Sequence, residues 1–302
     1  MQIIGRITRK ASAVAIAAGI IAGGTTLLPG AVGATIPATS ASLCGRTTLH
    51  KADGTAWKCS FDDEFSATTL DAAKWSPFAS VSGGFRGGAE CYSPSQVGVS
   101  GGTLNLPTVR AASAFDCAGV PATYRSGMIV SRNKFTQTYG RFEMRAKIPM
   151  SKGLHAAFWL LPENPYHTNG LDYGEIDVME SGGAYTDLAS PHLHYVETPG
   201  TVQTGTYCTV ANMAGAFHDY TLEWTPTSMR FSYDGHSCWT TSWRTIAQYQ
   251  PAGATAPTPF DQPFYMILNM GTDTASTIPA NAVSASTDLS QAMQVDYVRV
   301  WK

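Results

Sequence analysis

Three carboxylates stand within the stretch YGEIDVMES: Glu175, Asp177 and Glu180. On a β-strand alternate residues share a face, so Glu175 and Asp177 point together. Strict alternation would send Glu180 to the opposite face. A β-bulge at Val178–Met179 adds one residue and returns Glu180 to the acidic side. Ile176, Val178 and Met179 then anchor the strand in a core. Such a row is costly, because like charges repel and partial burial disfavours ionisation. Cleavage of a glycosidic bond gives a reason to keep it, since that reaction uses one ionised and one protonated carboxyl group. Retaining enzymes hold the two about 5–5.5 Å apart. One same-face step on a strand separates Cα atoms by about 6.6 Å, and Glu175 and Glu180 are two such steps apart. Long side chains leaning over Asp177 can converge to the retaining distance, and an inverting gap of about 6.5–9.5 Å also fits this geometry. Asp177 is placed to hydrogen-bond the nucleophile. Crowding is expected to raise the pKa of Glu180, as an acid requires. A calcium loop would favour Asp, Asn and Gly on irregular backbone, unlike this Ile/Val/Met-spaced run.

The elements that must position these groups are short alternating segments separated by Gly, Pro, Asn and Asp. They include VGVSGGTLNL (97–106), GRFEMRAKI (140–148), AAFWLL (156–161), YTLEW (220–224), MRFSYDG (229–235), YMILNM (265–270) and VDYVRVW (295–301). Apart from the N-terminal run, no segment carries a helical apolar stripe over three turns. The pattern predicts an all-β sandwich of two sheets forming one domain. In GRFEMRAKI, Phe142, Met144, Ala146 and Ile148 face one way and Arg141, Glu143, Arg145 and Lys147 the other. Alternation alone favours an ordinary outer surface for the charged set.

The N-terminus reads as a secretory signal peptide, residues 1–34. Arg6, Arg9 and Lys10 precede an apolar run from about Ala11 to Leu28, and Val32 and Ala34 fit a cleavage site. Residues 35–56 read as a leader and 57–302 as the domain. Losing Arg6, Arg9 and Lys10 from 20 basic residues leaves 17 against 22 acidic ones, a formal charge of −5. That sign disfavours a nucleic-acid partner, and no membrane association is expected after cleavage. Charged residues are 14% and aromatics 11% of the chain, a balance suited to a neutral, hydroxyl-rich ligand that stacks on rings. Six cysteines in an exported chain favour disulfides. No CxxC pair points to zinc. Of fifteen possible pairings the expectation is the sequential one, 44–59, 91–117 and 208–238.

With these residues in view, the sequence resembles glycoside hydrolase family 16. The family's Glu-aliphatic-Asp-x-x-Glu motif stands here as Glu175-Ile-Asp-Val-Met-Glu180. The spacing is that of the laminarinase-, agarase- and carrageenase-like branches. FDDEF (61–65), SGMIVS (126–131), YGRFEMRAKIP (139–149), AFWLLPEN (157–164), FHDYTLEWTP (217–226), FDQPFYMILNM (260–270) and VDYVRVW (295–301) agree in order. The resemblance implies a β-jelly roll with a concave substrate cleft and no cofactor for catalysis. It implies Glu175 as nucleophile, Asp177 as helper and Glu180 as acid/base. It also implies that Glu143 and Arg145 face the cleft, that Trp159 lies under the sugar beside the cleaved bond, and that His194, Asn269 and Glu90 are polar cleft contacts. Many relatives bind a structural calcium ion on the convex side, with ligands corresponding to Glu64, the backbone of Gly102, and Asp296.

One stretch departs from the laminarinase-like pattern Gly-x-Trp-Pro-Ala. Here GLHAAFW (153–159) places His155 where that pattern has Trp and Ala156 where it has Pro. A stacking platform is therefore absent or supplied elsewhere, with Phe85 and Tyr166 as candidates. The expected function is a secreted, monomeric, retaining endo-hydrolase of β-1,3- or mixed β-1,3/1,4-glucan, with that polysaccharide as its partner. The alternatives are action on another polysaccharide such as a galactan, glycosyl transfer, or a non-catalytic carbohydrate-binding jelly roll. The last typically loses a catalytic Glu, and both are present here.

Overall fold

A computed structural model describes residues 44–45, 48–163, 174–198, 200–243 and 257–302. The signal-peptide reading lies outside the described residues, as does Tyr166. The regular structure of the described residues is almost entirely strand, with one four-residue helical turn at Ser80–Gly83 and 3-10 turns at Pro94–Gln96 and Pro279–Asn281. They form the expected all-β sandwich. One sheet runs in the order His236–Thr241, Met229–Tyr233, His218–Trp224, Gly140–Lys147, Met293–Trp301, Thr103–Leu106 and Gly98–Ser100, with Cys59–Asp63 also against Met293–Trp301. The other runs Gly200–Gly205, Leu188–Thr198, Glu175–Gly182, Leu154–Pro162, Phe264–Thr272, Met128–Val130 and Ser76–Pro77, with Cys208–Thr209 against Leu188–Thr198. We call these the outer and the acidic sheet. A third, three-stranded sheet joins Glu90–Tyr92, Val120–Ser126 and Thr108–Cys117.

Alternation explains the sandwich core. Phe142, Met144, Ala146 and Ile148 from the outer sheet are fully buried, as are Leu154, Ala156, Phe158 and Leu160 from the acidic sheet. Each large apolar side chain so buried contributes about 1.5–3 kcal/mol. The central strand Phe264–Thr272 shows no alternation of burial at all. Phe264, Met266, Leu268 and Met270 pack into the sandwich. Tyr265 and Ile267 pack instead into a second apolar cluster with Tyr92, Met128, Ala157 and Trp159, edged by Phe78 and Phe85. A loop has folded over this part of the acidic sheet and covered its open face. Gly88 permits that approach, because a Cβ there would stand 1.6 Å from the carbonyl oxygen of Thr272.

The three disulfides are Cys44–Cys59, Cys91–Cys117 and Cys208–Cys238, the sequential pairing. The first ties the leader, at Cys44, to the outer sheet's edge strand Cys59–Asp63. The second braces the three-stranded sheet. The third joins the two main sheets, from Cys208–Thr209 on the acidic sheet to His236–Thr241 on the outer one.

Candidate active site

The acidic strand Glu175–Gly182 carries the bulge that the spacing predicts. Asp177 lies opposite Trp159 and His192, and Glu180 lies opposite Ala157 and Ser190, so the register slips by one residue between them on both sides. Val178 and Met179 are both fully buried in the sandwich. Tyr233 reaches across from the outer sheet, and its hydroxyl donates to the Val178 carbonyl at 3.0 Å. The bulge is therefore held from beneath. Glu175, Asp177 and Glu180 emerge on one face and line a single pocket with Phe85, Tyr92, His155, Trp159, Asn269 and Asp273.

Around the acids the side chains are tightly interlinked. Trp159 Nε1 donates to Asn269 Oδ1 at 2.7 Å, and Asn269 Nδ2 donates to the Tyr92 hydroxyl at 3.1 Å. That chain fixes the tilt of the indole. Phe85 stacks parallel on Tyr92, with ring centroids 6.0 Å apart, and meets Trp159 at 5.9 Å. Phe85 thus provides an aromatic surface at the pocket. His194 Nε2 lies 3.0 Å from Asp177 Oδ2. Glu180 is gripped from two sides: His155 Nε2 stands 3.0 Å from its Oε1, and His192 Nδ1 stands 2.6 Å from its Oε2. His155 Nδ1 is 3.2 Å from Asp273 Oδ2, and that same oxygen accepts from Asn281 Nδ2 at 2.7 Å.

These contacts set the protonation. Burial, then the charges of Glu175 and Glu180, push the Asp177 carboxyl well above its usual range. Burial would also raise Glu180, but the hydrogen bonds and charges of His155 and His192 outweigh it and hold the carboxyl well below its usual range. The expectation that crowding raises Glu180 is corrected on this point. Burial works against a charged His155, yet Asp273 and Glu180 together hold its pKa well above the ordinary histidine value.

A family model described as "Beta-porphyranase A-D, GH16 domain" matches residues 57–302. The chain belongs to glycoside hydrolase family 16. It is 30% identical over 259 residues to glucan endo-1,3-beta-glucosidase A1 of Niallia circulans, covering 80% of this chain and 37% of that protein. It is 34% identical over 191 residues to keratan-sulfate endo-1,4-beta-galactosidase of Sphingobacterium multivorum, covering 61% of this chain and 42% of that protein. The chain therefore spans less than half the length of either relative. Among solved structures, the laminarinase of Rhodothermus marinus superposes with a TM-score of 0.68 at 29% identity, covering 82% of this chain and 97% of that one.

In this family 16 chain several expected contacts lie elsewhere. Glu143 and Arg145 do not face the cleft. Their strand, Gly140–Lys147, belongs to the outer sheet. Glu143 accepts hydrogen bonds from Arg141, from Thr221 Oγ1 at 3.2 Å and from the Tyr297 hydroxyl at 3.0 Å. Arg145 pairs with Asp296 at 2.6 Å and with Asp219 at 3.5 Å. Alternation alone had assigned this face correctly. Glu90 is fully buried rather than presented to a ligand. Its Oε1 accepts from the amides of Gly87 and Gly88 at 2.9 and 3.1 Å, and its Oε2 from the amide and hydroxyl of Thr272 at 3.0 and 2.7 Å. It pins the covering loop to the acidic sheet. His194 and Asn269 do lie at the cleft, the first beside Asp177 and the second behind Trp159.

The residues matched to a calcium site are engaged otherwise. Glu64 receives both Nε and Nη2 of Arg299, at 2.6 and 2.8 Å, and Asp296 receives Arg145. Gly102 sits at the turn between Gly98–Ser100 and Thr103–Leu106 with φ +76°. Both carboxylates already neutralise a guanidinium group, so the set as arranged does not fit a calcium ion. Sequence reasoning missed His192, which shares a face with His194 in HLHY and was legible from that spacing. It also missed Asp273, which adjoins the site only through tertiary folding.

Proposed function

We propose that this chain is a retaining endo-glycosidase that cleaves β-1,3- or mixed β-1,3/1,4-glucan, exported after loss of residues 1–34 and acting as a monomer without a catalytic cofactor. The observation that carries the reading is the bulge, which brings three carboxylates to one face beside an indole held by Asn269. Glu175 attacks the anomeric carbon. Asp177, whose carboxyl keeps its proton well above the usual range, hydrogen-bonds the nucleophile and steadies its charge. Glu180 protonates the leaving oxygen, then takes a proton from the water that releases the sugar. The glucan assignment is supported by the likeness to the Niallia enzyme and to the Rhodothermus laminarinase. A second reading, a β-galactan substrate, is favoured by the porphyranase-type family match and by His155 in place of the laminarinase Trp.

A panel of laminarin, lichenan, agarose, porphyran and keratan sulfate, assayed for new reducing ends, separates the two. Proton NMR of early product should show the β-anomer first. Glu175→Gln should lose essentially all turnover while melting normally, and azide should rescue Glu175→Ala as an α-glycosyl azide. Wild-type turnover in Glu175→Gln or Glu180→Gln, or an α-anomer first, would overturn the mechanism.

A further inference from the structure

Glu180 stands in an environment that does not suit a resting general acid. Both of its oxygens face histidine nitrogens, and one of those histidines is itself backed by a buried carboxylate. The order of contacts is Asp273 Oδ2, His155 Nδ1, His155 Nε2, Glu180 Oε1, at 3.2 and 3.0 Å. Asn281 locks Asp273 from the far side, donating from Nδ2 to Oδ2 at 2.7 Å, while its Oδ1 accepts from the amides of Gly153 and Ala184 at 2.9 and 2.8 Å. The imidazole of His155 thus cannot rotate without breaking a contact at each nitrogen.

We propose that His155, oriented by Asp273, is a positioning residue that stores at rest the proton which Glu180 delivers to the leaving group. The idea rests on the retaining assignment above. In the first step the proton passes from His155 Nε2 to Glu180 Oε1. Glu180 then gives it to the glycosidic oxygen as the C1–O bond breaks and the Glu175 carboxylate bonds to C1. His155 is left neutral and Glu180 ionised. In the second step water attacks C1, the bond to Glu175 breaks, and the water's proton goes to Glu180 and back to His155. Protons and charge balance over the cycle. His192, at 2.6 Å from Oε2, steadies the other oxygen throughout.

The charges around His155 favour this storage. Glu180 meets it from the acidic strand and Asp273 from just beyond Phe264–Thr272, and Glu175, Asp177 and Tyr92 line the same pocket. The histidines of Leu188–Thr198, His192 and His194, are the opposing groups. The balance holds His155 above its ordinary value despite its burial. The position is also the one where the laminarinase-like pattern has Trp, whose single N–H can neither store a transferable proton nor serve Asp273 and Glu180 together.

The test is a set of pH profiles of kcat/KM for wild type, His155→Gln and Asp273→Asn, on polysaccharide and on an aryl glycoside with a dinitrophenolate leaving group. General acid assistance is worth roughly 10²–10⁴-fold, and a dinitrophenolate leaves without it. Both variants should lose at least about tenfold on polysaccharide at slightly alkaline pH. The alkaline limb should move to lower pH, because in His155→Gln the proton sits on Glu180 alone and in Asp273→Asn His155 loses the partner that holds its proton. Cleavage of the aryl glycoside should stay within about threefold of wild type. Equal losses on both substrates, or an unmoved alkaline limb, would overturn the proposal and leave the catalytic pair intact. Should His155→Gln fail to fold, Asp273→Asn decides, since it keeps the shape and removes only the charge. Full activity of Glu180→Gln on polysaccharide would instead sink the retaining assignment itself.

Discussion

The indole of Trp159 is tuned by one buried amide. Asn269 accepts its N–H and is in turn tied to Tyr92. Stacking of a ring on an aromatic face is worth about 1–3 kcal/mol by analogy with base–aromatic contacts. A tenfold change in affinity is about 1.4 kcal/mol. Trp159→Ala should therefore cost at least about tenfold in kcat/KM, measured on the substrate that the panel selects. A second prediction concerns stability. Burial opposes the charge on His194, but the bond to Asp177 dominates and raises its pKa from 6.5 to about 9. A folded-state pKa raised above the unfolded one means a contribution fully present below about 6.5 and lost as pH rises through about 9. The melting temperature should fall across that window in wild type, and the fall should flatten in His194→Gln. Thermal scans at stepped pH check both. At this scale the acids were legible from residue type and spacing, and Trp159 and His194 from the resemblance to the family. The grip of His155 and His192 on Glu180 was not, because it depends on which strands end up side by side.

The bulged strand is the element on which the site depends. Two residues, Val178 and Met179, stand where regular pairing allows one, and the Tyr233 hydroxyl holds the Val178 carbonyl from the opposite sheet. Tyr233→Phe leaves that buried carbonyl without its partner, at a cost of about 1–3 kcal/mol. It should lower the melting temperature and also reduce kcat, because the spacing of Glu175 and Glu180 is set over this carbonyl. Unchanged kcat with reduced stability would confine Tyr233 to a packing role. The bulge was readable from sequence because three acids on one face require it. The burial of Phe264–Thr272 on both sides was not. Its far face is covered by a loop whose seat depends on Gly88 and Glu90, residues that give no local sign of what they will touch.

At the scale of the whole molecule, two interventions should separate. Chelation should leave the melting temperature unchanged, because Glu64 and Asp296 already hold Arg299 and Arg145. A drop reversed by calcium would show that those arginines yield to the ion. Reduction should act differently. A native disulfide closing a loop of this size contributes about 2–4 kcal/mol, and three are present. Differential scanning calorimetry with and without a reductant should show a large downward shift. The jelly-roll class was legible from strand patterning and motif order. The route by which a buried Glu90 fastens the covering loop was not. The Cys208–Cys238 bond, fixed between the rims of both sheets, has a calorimetric consequence beyond stability. A trough with a covalently braced wall orders little of itself around an incoming chain. The heat capacity of binding then reports mainly the partly exposed ring of Phe85 and the remaining open edge of Trp159 removed from water, Tyr92 being already buried. Reducing that one bond should make the value more negative, as wall residues freed by reduction are recruited into order by the ligand.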